Sequence, residues 1–158
     1  MLLVQLGARL VRTSVRYRAY NLRAKCYKKG DMTLMKLMRV LVVDDNPDMR
    51  SFVKIVLERA GFEAEVAADG RRALDLQREC PADVLITDIF MPEPDGLELI
   101  QQFKSRFPGI KVVAISGGGY GTKVNYLYVA AEIGAEAVLH KPFSTETLVR
   151  TLQELAAG

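Results

Sequence analysis

Five polar side chains, each at the end of a short apolar run, could together perform phosphoryl chemistry. They are Asp44, Asp45, Asp88, Ser116 and Lys141. A carboxylate can act as a nucleophile and form an aspartyl phosphate, while an ammonium and a hydroxyl neutralise and orient the phosphoryl oxygens. Asp88, which ends the central run of the series, is the candidate nucleophile.

The three aspartates also indicate a metal ion. If they lie close together, their mutual repulsion raises the pKa of at least one of them unless a cation is present. Mg²⁺ suits this set, because it binds one or two carboxylates and keeps waters that a phosphate oxygen can replace. The five residues supply neither the nitrogen nor the sulfur ligands that zinc prefers. We therefore expect Mg²⁺ as the cofactor.

Strand and helix patterns alternate from Arg39 onward and must position these side chains. Val40–Val43 is apolar throughout, which is typical of a strand buried on both faces of a parallel sheet. The predicted strands cover 40–43, 62–67, 83–88, 110–115 and 137–139, and the predicted helices cover 47–60, 71–79, 96–107, 124–133 and the residues after Ser144. This alternation predicts an α/β three-layer sandwich whose strands all end at one edge, where the polar residues would meet.

Four stretches carry a resemblance to a known family. VLVVDDNPDMR, DVLITDIFMPEPDGLELI, VVAISGG and VLHKPF resemble the signature stretches of response-regulator receiver domains of two-component signalling. The resemblance covers about Arg39 to Leu155. It implies a flavodoxin-like fold, with a five-stranded parallel sheet of order 2-1-3-4-5 and helices on both faces.

The resemblance also implies a role for each polar residue. Asp88 would be the phosphoacceptor for a sensor kinase phosphohistidine. Asp45 would bind Mg²⁺ directly and Asp44 mainly through water. Lys141 would pair with Asp44 and neutralise the phosphoryl oxygens, and Ser116 would donate a hydrogen bond to one of them.

Two further features follow from the same resemblance. The backbone carbonyl of Phe90 would be another metal ligand, and the bond between Lys141 and Pro142 would be cis. Phe90 and the small Gly117 and Gly118 would control the access of hydrolytic water, so the lifetime of the phosphoryl group stays open.

The chain departs from the family pattern at Val138, three residues before Lys141, where an aromatic side chain usually stands. The family's common route, in which this aromatic side chain transmits phosphorylation to the protein surface, therefore cannot operate in its usual form. Gly117–Gly119 and Gly121 form a glycine-rich loop with an adaptable backbone. We expect Val138, Gly117 and Gly118 to form the switch region, and signalling to move this loop and the helix that bears Tyr126, Leu127 and Tyr128.

The charge of the chain is unevenly distributed. The formal net charge of +3 is the sum of about +9 for residues 1–39 and −6 for the remainder. We predict a basic N-terminal extension at 1–38 and a receiver domain at 39–158. The extension could be a targeting peptide, a membrane-surface helix or a nucleic-acid-binding arm, or it could lack a native fold if translation starts at Met32, Met35 or Met38.

Composition excludes several classes of protein. Two cysteines and one histidine provide neither a disulfide-dense secreted scaffold nor a structural zinc site, which predicts a reducing, cytoplasmic compartment. No apolar run is long enough to span a membrane. Because the chain ends after the last predicted helix, we expect a stand-alone receiver that does not itself bind nucleic acid.

The expected partners are a sensor histidine kinase or a histidine phosphotransfer protein, together with an unidentified downstream protein. A Mg²⁺-dependent aspartyl-phosphate phosphatase is the alternative, although it usually needs two acids spaced two residues apart after the first strand. A flavin-binding module is a third possibility, which the charges of Asp44 and Asp45 disfavour because they would repel a phosphate.

Overall fold

The described part of the chain forms a five-stranded parallel sheet with helices on both faces. The computed structural model describes residues 37–92, 95–117 and 126–157. In these stretches the strands are β1 (Arg39–Val43), β2 (Glu63–Ala67), β3 (Val84–Asp88), β4 (Lys111–Ser116) and β5 (Ala137–His140). The helices are α1 (Pro47–Arg59), α2 (Gly70–Glu79), α3 (Gly96–Arg106), α4 (Tyr126–Glu132) and α5 (Thr145–Ala157). The strand order is β2-β1-β3-β4-β5, which confirms the predicted fold.

The central strands are buried because helices cover both faces of the sheet. Every residue of β1 and β3 is buried, as their continuous apolar pattern predicts. Alternate side chains enter two separate cores: Leu41 and Leu85 pack with α2 and α3, whereas Val40 and Ile86 pack with α1 and α5. Each fully buried side chain of this size contributes roughly 1.5–3 kcal/mol, so the ends of these strands form a rigid base.

The predicted boundary at residue 39 lies close to the start of the described structure. Met38, which the sequence places in the extension, packs against one core, and its carbonyl accepts a hydrogen bond of 3.0 Å from the amide of Glu63. Residues 1–36 of the predicted extension lie outside the described residues. Among the residues that are described, no helix has the length and apolar character needed to cross a membrane.

Gly96 allows the loop after β3 to return over the strand end. Its amide donates a hydrogen bond of 3.0 Å to the carbonyl of Ile89. A Cβ at this position would lie 2.0 Å from the carbonyl oxygen of Asp88 and 2.6 Å from the Cα of Ile89. Because backbone atoms cannot move aside as a flexible side chain can, only glycine fits here without displacing the end of β3.

We predict that Gly96→Ala destabilises the protein strongly, whereas Gly109→Ala does not. The added methyl group at residue 96 collides with the backbone of β3, and overpacking of this kind costs roughly 1–3 kcal/mol or more. Gly109 is the matched control, since a Cβ there meets nothing within 4 Å and its φ is not positive. Urea unfolding measures both changes, and similar stabilities for the two variants would contradict the close approach at Gly96.

Candidate functional site

The carboxyl ends of β1, β3 and β5 bring two buried carboxylates to one ammonium group. Lys141 Nζ donates to Asp44 Oδ2 at 3.2 Å and also to Asp88 Oδ2. Asp44 and Asp88 are only 3% and 7% exposed. The contact joins residues far apart in the chain, and it depends on the parallel sheet placing the three strand ends at one edge. This convergence agrees with the sequence prediction for these three residues.

Main-chain amides hold the other oxygen of each carboxylate. The amide of Asn46 donates to Asp44 Oδ1 and the amide of Phe90 donates to Asp88 Oδ1, both at 2.8 Å. Each carboxylate therefore lies between a fixed backbone donor and Lys141. Hydrogen bonds between an ionised group and such donors are about twice as strong as neutral ones, so both side chains are well oriented.

Helix α1 begins without using either aspartate as its N-cap. The side chain of Asn46 accepts hydrogen bonds from the amides of Asp48 and Met49, and this satisfies the free amides of the first turn. Asn46 therefore performs the capping role that would otherwise be the simplest explanation for acidic residues at this position, and Asp44 is left to contact Lys141.

Arg50, in the first turn of α1, supports the same loop. Its Nη1 donates to the backbone carbonyls of Asp44 at 2.7 Å and Asp45 at 3.0 Å. Arg50 was not predicted from the sequence. Its position in the sequence could have indicated this role, because an arginine in the first turn of a helix soon after a strand end can reach the carbonyls of the intervening loop.

Asp44 is under electrostatic strain because it is buried. Burial raises the pKa of Asp44, and the opposing effects of the Asn46 amide and Lys141 do not cancel this increase; the charge of Asp88 adds to it. Burial acts against the charge on Lys141, but the hydrogen bond and charge of Asp88, together with Asp44, outweigh it and raise the pKa of Lys141. Two buried carboxylates thus share one cation, which leaves an excess of negative charge.

Asp45 lies outside this three-residue contact. Its side chain is exposed, although it directly follows the buried Asp44. β1 ends at Val43 and the chain bends at Asp45, so Asp45 does not continue the buried strand. The structure therefore brings together two of the three predicted aspartates.

Ser116 and Lys141 are held side by side at the ends of β4 and β5. Ser116 is buried, and its carbonyl accepts a hydrogen bond of 2.8 Å from the amide of Lys141. A Cβ on Gly117 would lie 3.9 Å from Lys141 Cδ, an ordinary contact distance. The bond between Lys141 and Pro142 is cis, as predicted.

The donor set is compatible with a hard divalent cation. Across 37–92, 95–117 and 126–157, no three acidic, histidine or cysteine side chains form a ready-made metal cluster. Mg²⁺ commonly uses only one or two carboxylates and retains several waters. Asp44 and Asp88 supply two adjacent carboxylates with excess negative charge, and this is the chemistry that such an ion requires.

The predicted switch positions are described only in part. Val138 lies on β5 and is 39% exposed. Phe90 is 43% exposed, and its ring packs edge-on against Tyr126 at the start of α4. Gly118 and the side chain of Leu127 lie outside the described residues. The contact between Phe90 and Tyr126 was not predicted, because nothing in the local sequence indicates that these two rings meet.

Comparisons with known proteins support the family resemblance that the sequence shows. Residues 40–153 match the family model described as the response regulator receiver domain. The chemotaxis protein CheY of Thermotoga maritima is 33% identical over 119 residues, which cover 75% of this chain and 97% of that protein. A putative NtrX-like response regulator of Rickettsia bellii is 38% identical over 122 residues, but the match covers only 25% of its length.

Solved structures show the same relationship. Chemotaxis protein CheY4 of Vibrio cholerae superposes with a TM-score of 0.68 at 34% identity and covers 75% of this chain and 98% of its own. The receiver domain of NtrX from Brucella abortus gives a TM-score of 0.68 at 31% identity, covering 73% of this chain and 95% of its own. The chain thus spans nearly all of the CheY proteins but about a quarter of the NtrX-like relative.

We predict that Asp44→Asn stabilises the metal-free protein at pH 7. The substitution removes one of two buried negative charges and leaves the balanced pair of Lys141 and Asp88. Because the pKa of Asp44 is raised, the folded protein binds the proton of this carboxyl group more tightly than the unfolded chain does. The contribution of Asp44 is therefore most favourable at low pH, and it is lost as the pH rises from about 3.8 through the raised value.

Urea unfolding with a chelator present measures this effect. The advantage of Asp44→Asn over wild type is expected to grow as the pH increases across that range. Asp75→Asn is the control, because Asp75 is half exposed and pairs with Arg78 on the surface of α2. A lower stability of Asp44→Asn at pH 7 would mean that the bond to Lys141 outweighs the cost of burial.

Proposed function

Because the chain belongs to the response-regulator receiver family, we propose that it is a phosphorylatable signalling switch in which Asp88 accepts a phosphoryl group from a phosphohistidine. The donor is a sensor histidine kinase or a histidine phosphotransfer protein. The observation that carries this proposal is the buried Asp88 carboxylate at the end of β3, oriented between the Phe90 amide and Lys141. Receiver domains act as phosphoacceptors rather than as conventional enzymes.

In the transfer step, a carboxylate oxygen of Asp88 attacks the phosphorus atom of the donor. An O–P bond forms as the P–N bond of phosphohistidine breaks, and the imidazole leaves with the electron pair and takes a proton from solvent. Lys141 already contacts the attacking carboxylate, so its ammonium can neutralise the incoming phosphoryl oxygens. Ser116, at the end of the adjacent strand, is proposed to donate a hydrogen bond to one of them.

The groups that we propose to bind the ion lie at the same edge of the sheet. Asp45, Asp88 and the backbone carbonyl of Phe90 would hold Mg²⁺ directly, and Asp44 would act mainly through water. The ion would supply positive charge against the phosphoryl oxygens. Asp44 and Lys141 would in turn keep the acceptor carboxylate in place.

The output of the switch is proposed to be the binding or release of a downstream protein, or the transfer of the phosphoryl group onward to a histidine. A cytoplasmic location would give access to the kinase. Apart from Met38, which packs against the core, the basic segment at 1–38 is proposed to be separable from the receiver at 39–158. The receiver is proposed not to contact nucleic acid directly.

The first prediction of this proposal concerns the acceptor. Wild-type protein incubated with Mg²⁺ and acetyl phosphate is expected to gain an acid-stable, base-labile phosphoryl adduct, detected by intact mass. Asp88→Asn is expected to lose it, since an amide is a poor nucleophile, and the exposed Asp75→Asn is expected to retain it. Undiminished labelling of Asp88→Asn would refute the role of Asp88 as phosphoacceptor. Multiple turnover of phosphate esters would instead favour the alternative function, a Mg²⁺-dependent aspartyl-phosphate phosphatase.

The second prediction concerns the ion. Mg²⁺ at 100 times its dissociation constant is expected to stabilise wild type by roughly 2.7 kcal/mol in thermal unfolding. Asp44→Asn and Asp45→Asn are expected to bind Mg²⁺ at least about tenfold more weakly. Asp45→Asn loses a charged ligand of the ion, and Asp44→Asn loses the carboxylate that would hold the ion through water. Asp75→Asn is again the control, and unchanged affinity in Asp45→Asn would remove that exposed side chain from the ligand set.

A further inference from the structure

Two aromatic rings connect the end of β3 to the start of α4. The ring centroids of Phe90 and Tyr126 lie 5.0 Å apart, and their planes are inclined at 75°, which is a favourable edge-to-face geometry. Phe90 stands two residues after Asp88. Tyr126 is the first residue of α4, and it packs against the core beneath that helix.

The acceptor carboxylate is directly bonded to the same segment. Asp88 Oδ1 accepts the amide hydrogen of Phe90 at 2.8 Å, while Oδ2 contacts Lys141. An uninterrupted series of contacts therefore runs from the acceptor through the backbone of Phe90 and its ring to Tyr126. Each step is a short contact between neighbouring groups.

Phosphorylation must change the first contact in this series. When either oxygen of Asp88 bonds to phosphorus, the carboxylate becomes an acyl phosphate, and its charge moves onto the phosphoryl group. If phosphorus bonds to Oδ2, the Oδ1 atom that faces the Phe90 amide is a neutral carbonyl oxygen. If phosphorus bonds to Oδ1, that atom becomes an ester oxygen. The Phe90 amide loses a charge-assisted acceptor in both cases, and such bonds are about twice as strong as neutral ones.

The Phe90 ring is able to respond to this loss. It is 43% exposed, so part of the ring faces solvent and can move without displacing packed neighbours. Tyr126 is half-buried and packs on the core, so a change at its ring is passed to α4 rather than absorbed by solvent. The two chemical states of Asp88 thus differ in their interaction with the ring pair, which is the condition for coupling.

We propose that the contact between Phe90 and Tyr126 couples the phosphorylation state of Asp88 to helix α4, with Tyr126 as the positioning residue. This inference rests on the proposed phosphoacceptor function. It assigns to Tyr126 a role that requires its ring but not its hydroxyl group, because the contact with Phe90 is between rings.

Hydrogen exchange in α4 tests the coupling. The exchange of a peptide that covers Tyr126–Glu132 is compared with and without acetyl phosphate and Mg²⁺, and the adduct is measured on the same samples by intact mass. In wild type, phosphorylation is expected to change the exchange rate by roughly two- to tenfold, the range that corresponds to gaining or losing one ring contact.

Three variants separate coupling from simple structure. Tyr126→Leu is expected to form the adduct normally and to lose the exchange response, whereas Tyr126→Phe retains both. Tyr128→Leu is the matched control on the same helix, where the side chain is 63% exposed, and it is expected to respond as wild type does. Phe90→Leu removes the other ring and is expected to lose the exchange response when that response is normalised to the amount of adduct measured on the same sample. This second variant keeps the coupling testable if Tyr126→Leu folds poorly.

The outcomes distinguish the two proposals. Absence of any adduct on wild type would overturn the phosphoacceptor function and the coupling that rests on it. A normal adduct with an undiminished exchange response in Tyr126→Leu and Phe90→Leu would overturn the coupling alone. Loss of the response in Tyr126→Phe would likewise overturn it, because the ring is present in that variant.

Discussion

The sharing of one lysine ammonium between two buried aspartates is the interaction on which the site depends. Lys141 closes a contact between the ends of β1, β3 and β5, three strands that are widely separated in sequence. Replacing Lys141 would leave two charged carboxylates buried without a cation, which is strongly unfavourable. The opposite oxygen of each aspartate is bonded to a backbone amide, so the sheet and its loops determine the direction of both carboxylates.

The scaffold contributes rigidity where the chemistry needs it. β1 and β3 are buried along their whole length, and Asp44 and Asp88 extend directly from these strands. Gly96 brings the following loop so close to Asp88 that a single methyl group would not fit. A side chain placed in this way has little freedom to reorient, and such preorganisation is what lets a site act mainly by position and charge.

Much of this arrangement could be predicted from the sequence, and the remainder depends on information that local patterns lack. Apolar periodicity predicted the alternating strands and helices, and parallel strands imply that Asp44, Asp88 and Lys141 meet at one edge. The exposure of Asp45 was missed, because it depends on the bend that the chain makes after β1 and not on an apolar pattern. Gly96 and the pair of Phe90 and Tyr126 could not be identified, because their roles depend on the approach of specific atoms from separate parts of the chain.

The same contacts would link the duration of a signal to its transmission. Phe90 provides the backbone amide that orients Asp88, and its ring packs against Tyr126. On the proposed function, movement of this ring when the amide loses its charged acceptor would change the contact with α4 and also the access of hydrolytic water to the acyl phosphate. Val138 on β5 has no ring to perform either task. In this chain the two properties would therefore change together, since one residue contributes to both.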